Sequence, residues 1–218
     1  MKLNSTCATL ALTFGLTVAA NAATIAYSYS YDLMPSHNGA GALYNDDLHS
    51  GPAGTFDSTG DLNDGVVYAG SNPVTDNPNS MVAWSQSSGA DTPATITVDL
   101  GALYDLSAID LTTYSFTAFA LGHPDDVTVS TSADNVTYSG STLHTLAAAP
   151  ADGGVLQTIA RTDTGVRYIQ LAFDGDETSG DKWGLTEMRI DGTAVVPEPS
   201  STALLGLGGL ALILRRRK

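Results

Sequence analysis

The chain has 218 residues, 43% of them hydrophobic, with 23 Asp and Glu against nine Lys and Arg and a formal net charge of −14. That length and apolar share suit one core with tails and leave little room for two domains. All 23 acids but only Arg161, Arg167, Lys182 and Arg189 fall between Asp32 and Glu198, a balance of 4 minus 23, or −19, which excludes a nucleic-acid partner because phosphate binding needs cations.

One cation at Lys2, an apolar run over 8–20 and the small residues Ala20-Asn21-Ala22 read as a secretory signal peptide, residues 1–22, with a helical apolar centre. The only cysteine, Cys7, lies inside it, so the remainder holds no disulfide, thiol nucleophile or cysteine-bound metal. Residues 23–195 follow as one domain. Ile25, Tyr27, Tyr29 and Tyr31 alternate with Ala26, Ser28 and Ser30, the period of a strand with an aromatic face. The stretch 34–79 carries the turn pairs Asn38-Gly39, Gly51-Pro52, Asp64-Gly65 and Asn72-Pro73 and reads as loops.

Over 95–111, Ile96, Val98 and Leu100 alternate with Thr97 and Asp99; Gly101 breaks the run, and Leu106, Ile109 and Leu111 resume it. The pattern predicts two strands joined by a turn through 102–105. A further strand is expected over 126–131, running on to Tyr138, with others at 155–159, 167–173 and 183–192. Helical patterns are confined to the two ends, so the class is all-β.

Val196-Pro197-Glu198-Pro199 precedes an apolar Gly-containing stretch, 203–214, and the basic tail Arg215-Arg216-Arg217-Lys218. This resembles the PEP-CTERM sorting signal of bacterial surface and secreted proteins, matching it at Pro197, Glu198 and Pro199. Each part has a physical role: the prolines keep the junction extended, the apolar stretch forms a short transmembrane helix, and the cations stay on the cytoplasmic side. Residues 200–214 would rise about 22 Å, short of the ~30 Å hydrocarbon core, which suits a transient anchor. The resemblance implies that 196–218 are sorted by an exosortase and that the domain resides at the bacterial cell envelope or surface, or is secreted after processing; a plain C-terminal membrane anchor is the alternative.

The strand Ile96-Thr97-Val98-Asp99-Leu100-Gly101 resembles the discoidin (coagulation factor five/eight type C) domains. So do Ser132, Asp134 and Tyr138 after a V-x-V strand, with Asn135 at the turn glycine, a substitution that positive φ permits. The strand 167–173, beginning Arg167-Tyr168-Ile169, and the terminal strand 183–192 complete four matched segments in family order. The resemblance implies a galactose-binding-like jelly-roll β-sandwich.

It also implies a structural calcium ion. Family members place an L-x-D-G loop before a tryptophan and close the cage with a glutamate of the last strand; Asp61-Leu62-Asn63-Asp64-Gly65, Trp84 and Glu187 match. Asp64 and Glu187 are the first candidate ligands, Asn63 and Asp61 the next, and oxygen donors on a sharp turn suit calcium. An ordinary turn beside a strand-edge charge is the other reading of the same residues. For carbohydrate, the family uses aromatics on rim loops. Tyr114, Phe116, Phe119 and His123 are the candidates after the long strand, with Tyr44, His49 and Tyr68 in the early loops; packing beneath a loop is the alternative for each. Trp84 and Trp183 read as core, and Arg167 as the partner of an interior carboxylate.

No catalytic motif stands out. G-x-S-x-G, H-E-x-x-H and a phosphate loop are absent, His37, His49, His123 and His144 lack metal-ligand spacing, and Asp46-Asp47 and Asp125-Asp126 read as solvated loop acids. The expected protein is non-catalytic and exported, binding carbohydrate or exopolysaccharide; the alternative is a structural matrix or adhesion protein that uses protein contacts.

Overall fold

A computed structural model of the chain describes residues 22–35, 46, 49, 51–57, 60–68, 81–85, 93–175 and 182–196. The signal segment before Ala22, the sorting residues Pro197, Glu198 and Pro199 with all that follows them, and His37 and Tyr44 lie outside the described residues. Among the described residues no helix is long and apolar enough to cross a membrane.

The described chain forms β1 (Ala23–Thr24), β2 (Ser28–Tyr31), β3 (Val82–Ser85), β4 (Ala94–Ser115), β5 (Asp126–Ser132), β6 (Ser139–Thr145), β7 (Gly153–Ala160), β8 (Val166–Phe173) and β9 (Lys182–Ala194), with one 3-10 turn at Thr117–Phe119. The named strand pairings are all antiparallel.

β4 organises the fold. Its first half lies between β2, where Tyr31 faces Ile96, and β8, where Phe173 faces Ala94. Its second half lies between β7 and β9, where Ile159 and Ile190 both face Ile109. One strand therefore runs from a layer ordered β2-β4-β8-β5-β6 into a layer ordered β7-β4-β9, and β1 and β3 line the far edge of β9. This is an all-β sandwich.

The predicted turn at 102–105 is not a turn: those residues stay extended within β4. Gly101, at φ +74, bends the strand, and its amide bonds the Asp99 carboxylate at 2.8 Å. The halves never pair with each other because each is claimed on both edges by other strands. The strand expected to run to Tyr138 stops at Ser132 instead. There the Ser132 hydroxyl accepts the amides of Asp134 and Asn135, and the Asp134 carboxylate accepts those of Val136 and Thr137. Asn135 takes the left-handed conformation, φ 61, that the motif required. The edge strand β6, Ser-Gly-Ser-Thr-Leu-His-Thr, is mostly exposed and shows no apolar alternation, which is why its sequence carries no strand signal.

The core lies between the layers, built from Ile96, Val98, Ile109 and Leu111 of β4, Val127, Val129, Ile169 and Leu171 of β5 and β8, and Leu185 and Ile190 of β9. Each such side chain contributes roughly 1.5–3 kcal/mol on burial. Trp84 and Trp183, opposite each other across β3 and β9, stack with ring centroids 4.2 Å apart and are fully buried, as their core reading required. Arg167 grips Asp99, the carboxylate partner expected of it, with two bonds, 2.9 and 3.1 Å, but the pair is not interior, since the Arg167 side chain is 40% exposed. At the other end of β9, Ala23 pairs with Gly192 and the Val195 amide bonds the Leu103 carbonyl at 2.9 Å.

Candidate metal centre and loop rim

The loop 60–65 is tied to the sandwich through its main chain. Leu62, an apolar residue among polar neighbours, is fully buried, and its carbonyl accepts the Met188 amide at 2.8 Å and the Tyr27 hydroxyl at 3.1 Å. The same hydroxyl lies 2.6 Å from the Met188 carbonyl. Asn63 closes the loop: its carboxamide oxygen accepts the Gly60 amide and its nitrogen donates to the Tyr27 carbonyl, both at 2.9 Å. The chain then turns through Gly65, at φ +80.

That anchoring brings the tip of the loop to β9. The Gly65 amide donates to Glu187 Oε2 at 3.1 Å, while Asp64 Oδ1 accepts the Val66 amide at 2.7 Å. Burial first, and the neighbouring Asp64 charge second, push the Glu187 carboxyl up to about 8, and the Asp64 side chain hydrogen-bonds it. Burial, assisted by Glu187, also raises the Tyr27 phenol. Tyr27, Asn63, Gly65, Glu187 and Met188 line an open cleft of about 360 Å³.

Of the four predicted ligands, the structure therefore brings Asp64 and Glu187 together. Asn63 spends its side chain on closing the loop, and Asp61 is buried, its amide bonded to Asp46. Among the described residues no group of three or more His, Cys, Asp or Glu converges on a metal position. The donor set at Glu187 is thus two carboxylates that share a hydrogen bond, at the tip of a Gly-containing turn. Those hard oxygen donors fit calcium, whose coordination accommodates carbonyls and water, and they do not fit a soft metal.

The rim residues fare differently. Tyr114 is fully buried, edge-on to Tyr68 at 5.1 Å, and Phe116 is 4% exposed in a small cluster with Met81, Ala83 and Leu121. Both were candidate sugar platforms; both instead floor the rim from inside, because the segment 116–121 folds back through a bridge between Phe116 and Leu121. Tyr68 and His49 are buried as well. Phe119 lies in the 3-10 turn, which ends at Ala120 with φ 50. His123 keeps 13% of its side chain exposed, with Nε2 3.7 Å from the Asp125 carboxylate.

One residue escaped the sequence reading. Asp46, read as a solvated loop acid, is buried and accepts hydrogen bonds from the Tyr29 and Tyr31 hydroxyls at 2.6 and 2.7 Å. The signal was there in the alternating tyrosines: a buried phenol needs a hydrogen-bond partner, and an acid in the following loop is an available one.

A β-sandwich entered through one long bent strand, with an Asp-Gly loop docked on the glutamate of its last strand, has the architecture of the discoidin-like class. The F5/8 type C domain model matches residues 58–188, and the chain belongs to that family. The PEP-CTERM protein-sorting motif matches 195–218, which marks an exported protein sorted to the cell envelope or surface. No curated protein matches the chain.

Among solved structures the chain is similar to CBM32-3 from a family 31 glycoside hydrolase of Clostridium perfringens, at 19% identity over 52% of this chain and 75% of that one, with a TM-score of 0.41. It is similar to the C-terminal domain of a chitobiase from Bacteroides fragilis, at 15% identity over 80% and 95%, TM-score 0.45. A third is a CBM32 module from Clostridium perfringens in complex with GalNAc-β-1,3-galactose, at 15% identity over 54% and 78%, TM-score 0.41.

Proposed function

We propose that this protein is a non-catalytic carbohydrate-binding component of the cell envelope or its matrix, processed by an exosortase and braced by calcium at Asp64 and Glu187. Membership of the F5/8 type C family together with the sorting motif supports binding to carbohydrate or exopolysaccharide at the cell surface. The observation that carries the brace is the meeting of the Asp64-Gly65 tip with Glu187, to which the Gly65 amide donates from 122 positions away. Calcium bound there would supply the positive charge that neutralises both carboxylates. The residues do the rest: the Leu62 carbonyl and Tyr27 hydroxyl fix the loop height, Asn63 fixes its curvature, and Gly65 permits the turn. The brace holds early loops against β9 and takes no part in any reaction.

The burial of Tyr114 and Phe116 favours a second reading, a structural matrix protein that adheres through protein contacts, because it removes two aromatics from the rim. A polysaccharide-binding screen on the full chain, in calcium and in chelator, decides between them. Retention on one glycan class establishes the lectin-like role, and loss of that retention in chelator adds the brace. Retention that ignores chelator keeps the lectin and removes the brace as a requirement. No retention by a folded sample establishes the matrix role.

A further inference from the structure

We infer that Asp46 is the positioning residue of the cation site, setting the height of the Asp64 loop over Glu187 from a separate segment of the chain. The inference rests on the calcium reading above.

Asp46 is 5% exposed and acts as a three-way acceptor: Oδ2 takes the Tyr29 and Tyr31 hydroxyls, and Oδ1 takes the Asp61 amide at 2.9 Å. Tyr29, having donated to Asp46, accepts the Leu62 amide at 3.3 Å. Two consecutive amides of the loop are thereby read by one buried cluster seated on β2. The chain crosses this cluster closely enough that only glycine fits above it. A Cβ on Gly60 would lie 1.6 Å from the Tyr29 hydroxyl and 2.8 Å from Asp46 Oδ2.

The next links lead to the site. Leu62, whose amide rests on Tyr29, gives its carbonyl to Met188, the neighbour of Glu187, and three residues later Gly65 bonds Glu187 itself. Gly65 and Asp64 reach Glu187 only at the height at which the Asp61 and Leu62 amides are held, so the cluster under those amides sets where the loop tip meets β9. The hydrogen bonds to buried Asp46 are charge-assisted, the stronger kind. Calcium accepts oxygens only within about 2.3–2.6 Å, so a loop that lifts by an ångström loses its ligand.

The test measures two things on the full chain in mild detergent: calcium affinity by titration calorimetry, and amide hydrogen exchange at 61–65 in chelator. Asp46→Ala is expected to weaken calcium binding about tenfold or more and to speed exchange at 61 and 62 without metal present. Asp46→Asn keeps an acceptor for the Asp61 amide and should lose less. Val129→Ala, in the core between β5 and β8 and outside this cluster, should lower the melting temperature and leave calcium affinity unchanged. A folded Asp46→Ala protein that binds calcium like wild type overturns the inference, even if its stability falls. Should Asp46→Ala fail to fold, Asp46→Asn and Tyr29→Phe decide, and wild-type affinity in both overturns it. Wild-type protein that binds no calcium removes the calcium reading and this inference together, an outcome distinct from binding that the variants leave intact.

Discussion

Glu187, on the last strand, accepts the amide of Gly65 at 3.1 Å while its carboxyl is hydrogen-bonded to the side chain of Asp64. A protonated carboxyl tolerates this arrangement and an ionised one does not, so the folded state binds a proton there that the unfolded chain releases. The folded value of about 8 lies above the ordinary 4.5. The contribution of this group to stability is therefore full below about pH 4.5 and lost as pH rises through 8. In chelator the melting temperature should carry a component that falls between pH 5 and 8; in saturating calcium that component should vanish. Calorimetry at pH 7 in buffers of different ionisation heat should show close to one proton released per calcium bound. Release of none would remove Glu187 from the site.

Glu187→Gln separates the two roles of the carboxylate. It removes the repulsion with Asp64, so the calcium-free variant should be more stable than wild type at pH 8 to 9. It also removes a ligand, so terbium luminescence excited through the adjacent Tyr27 should drop to background. A variant that retains both wild-type traits would show that the two carboxylates do not act on one cation.

The stacked pair Trp84 and Trp183 should dominate the stability of the sandwich. Trp84 also donates its indole N–H to the Leu33 carbonyl at 3.0 Å, tying the chain after β2 to β3. Trp183→Ala is expected to cost about 3–5 kcal/mol in urea unfolding. These are the only two tryptophans, so intrinsic fluorescence reports the opening of this pair directly.

Asp99 and Arg167 give the opposite pH sign from Glu187. Hydrogen bonds from Arg167 hold the Asp99 carboxyl below the usual value of 3.8. Its contribution is present above that value and lost on further acidification. Asp99→Asn should flatten the acid limb of the melting-temperature profile below about pH 4 and leave the profile above pH 6 parallel to wild type.

Gly101 and Gly192 separate strain from collision. An added Cβ at Gly101 meets nothing within 4 Å, so Gly101→Ala should cost only the left-handed backbone penalty, about 1 kcal/mol. At Gly192 the added atom would lie 2.6 Å from the Asp105 carbonyl, and Gly192→Ala should cost more. Equal losses at the two positions would contradict this distinction.

The strands that alternate cleanly were legible in the sequence, as were the turn at Asn135, the Arg167 pairing and the buried tryptophans, because each is dictated by residues close together or by a strong chemical demand. What was hidden depended on distant context. The extended course of 102–105 follows from β8 and β9 claiming the edges of β4, which no local pattern announces. β6 is a polar edge strand, held by pairing rather than by burial. Tyr114 and Phe116 looked available because strand ends precede loops; the return of 116–121 covers them. For the site, Asp64 and Glu187 emerged from their motif, whereas Asp46 is recruited through space by two phenols.

Ala23 and Val195 are secured on the same end of the molecule, at Gly192 and Leu103, while Lys182, which accepts the Gly122 amide, begins β9 beside the rim. The thirteen residues of β9 separate those ends by about 40 Å. The two described ends of the domain, Ala23 and Val195, therefore lie together at the far end of β9 from Gly122 and its neighbour His123.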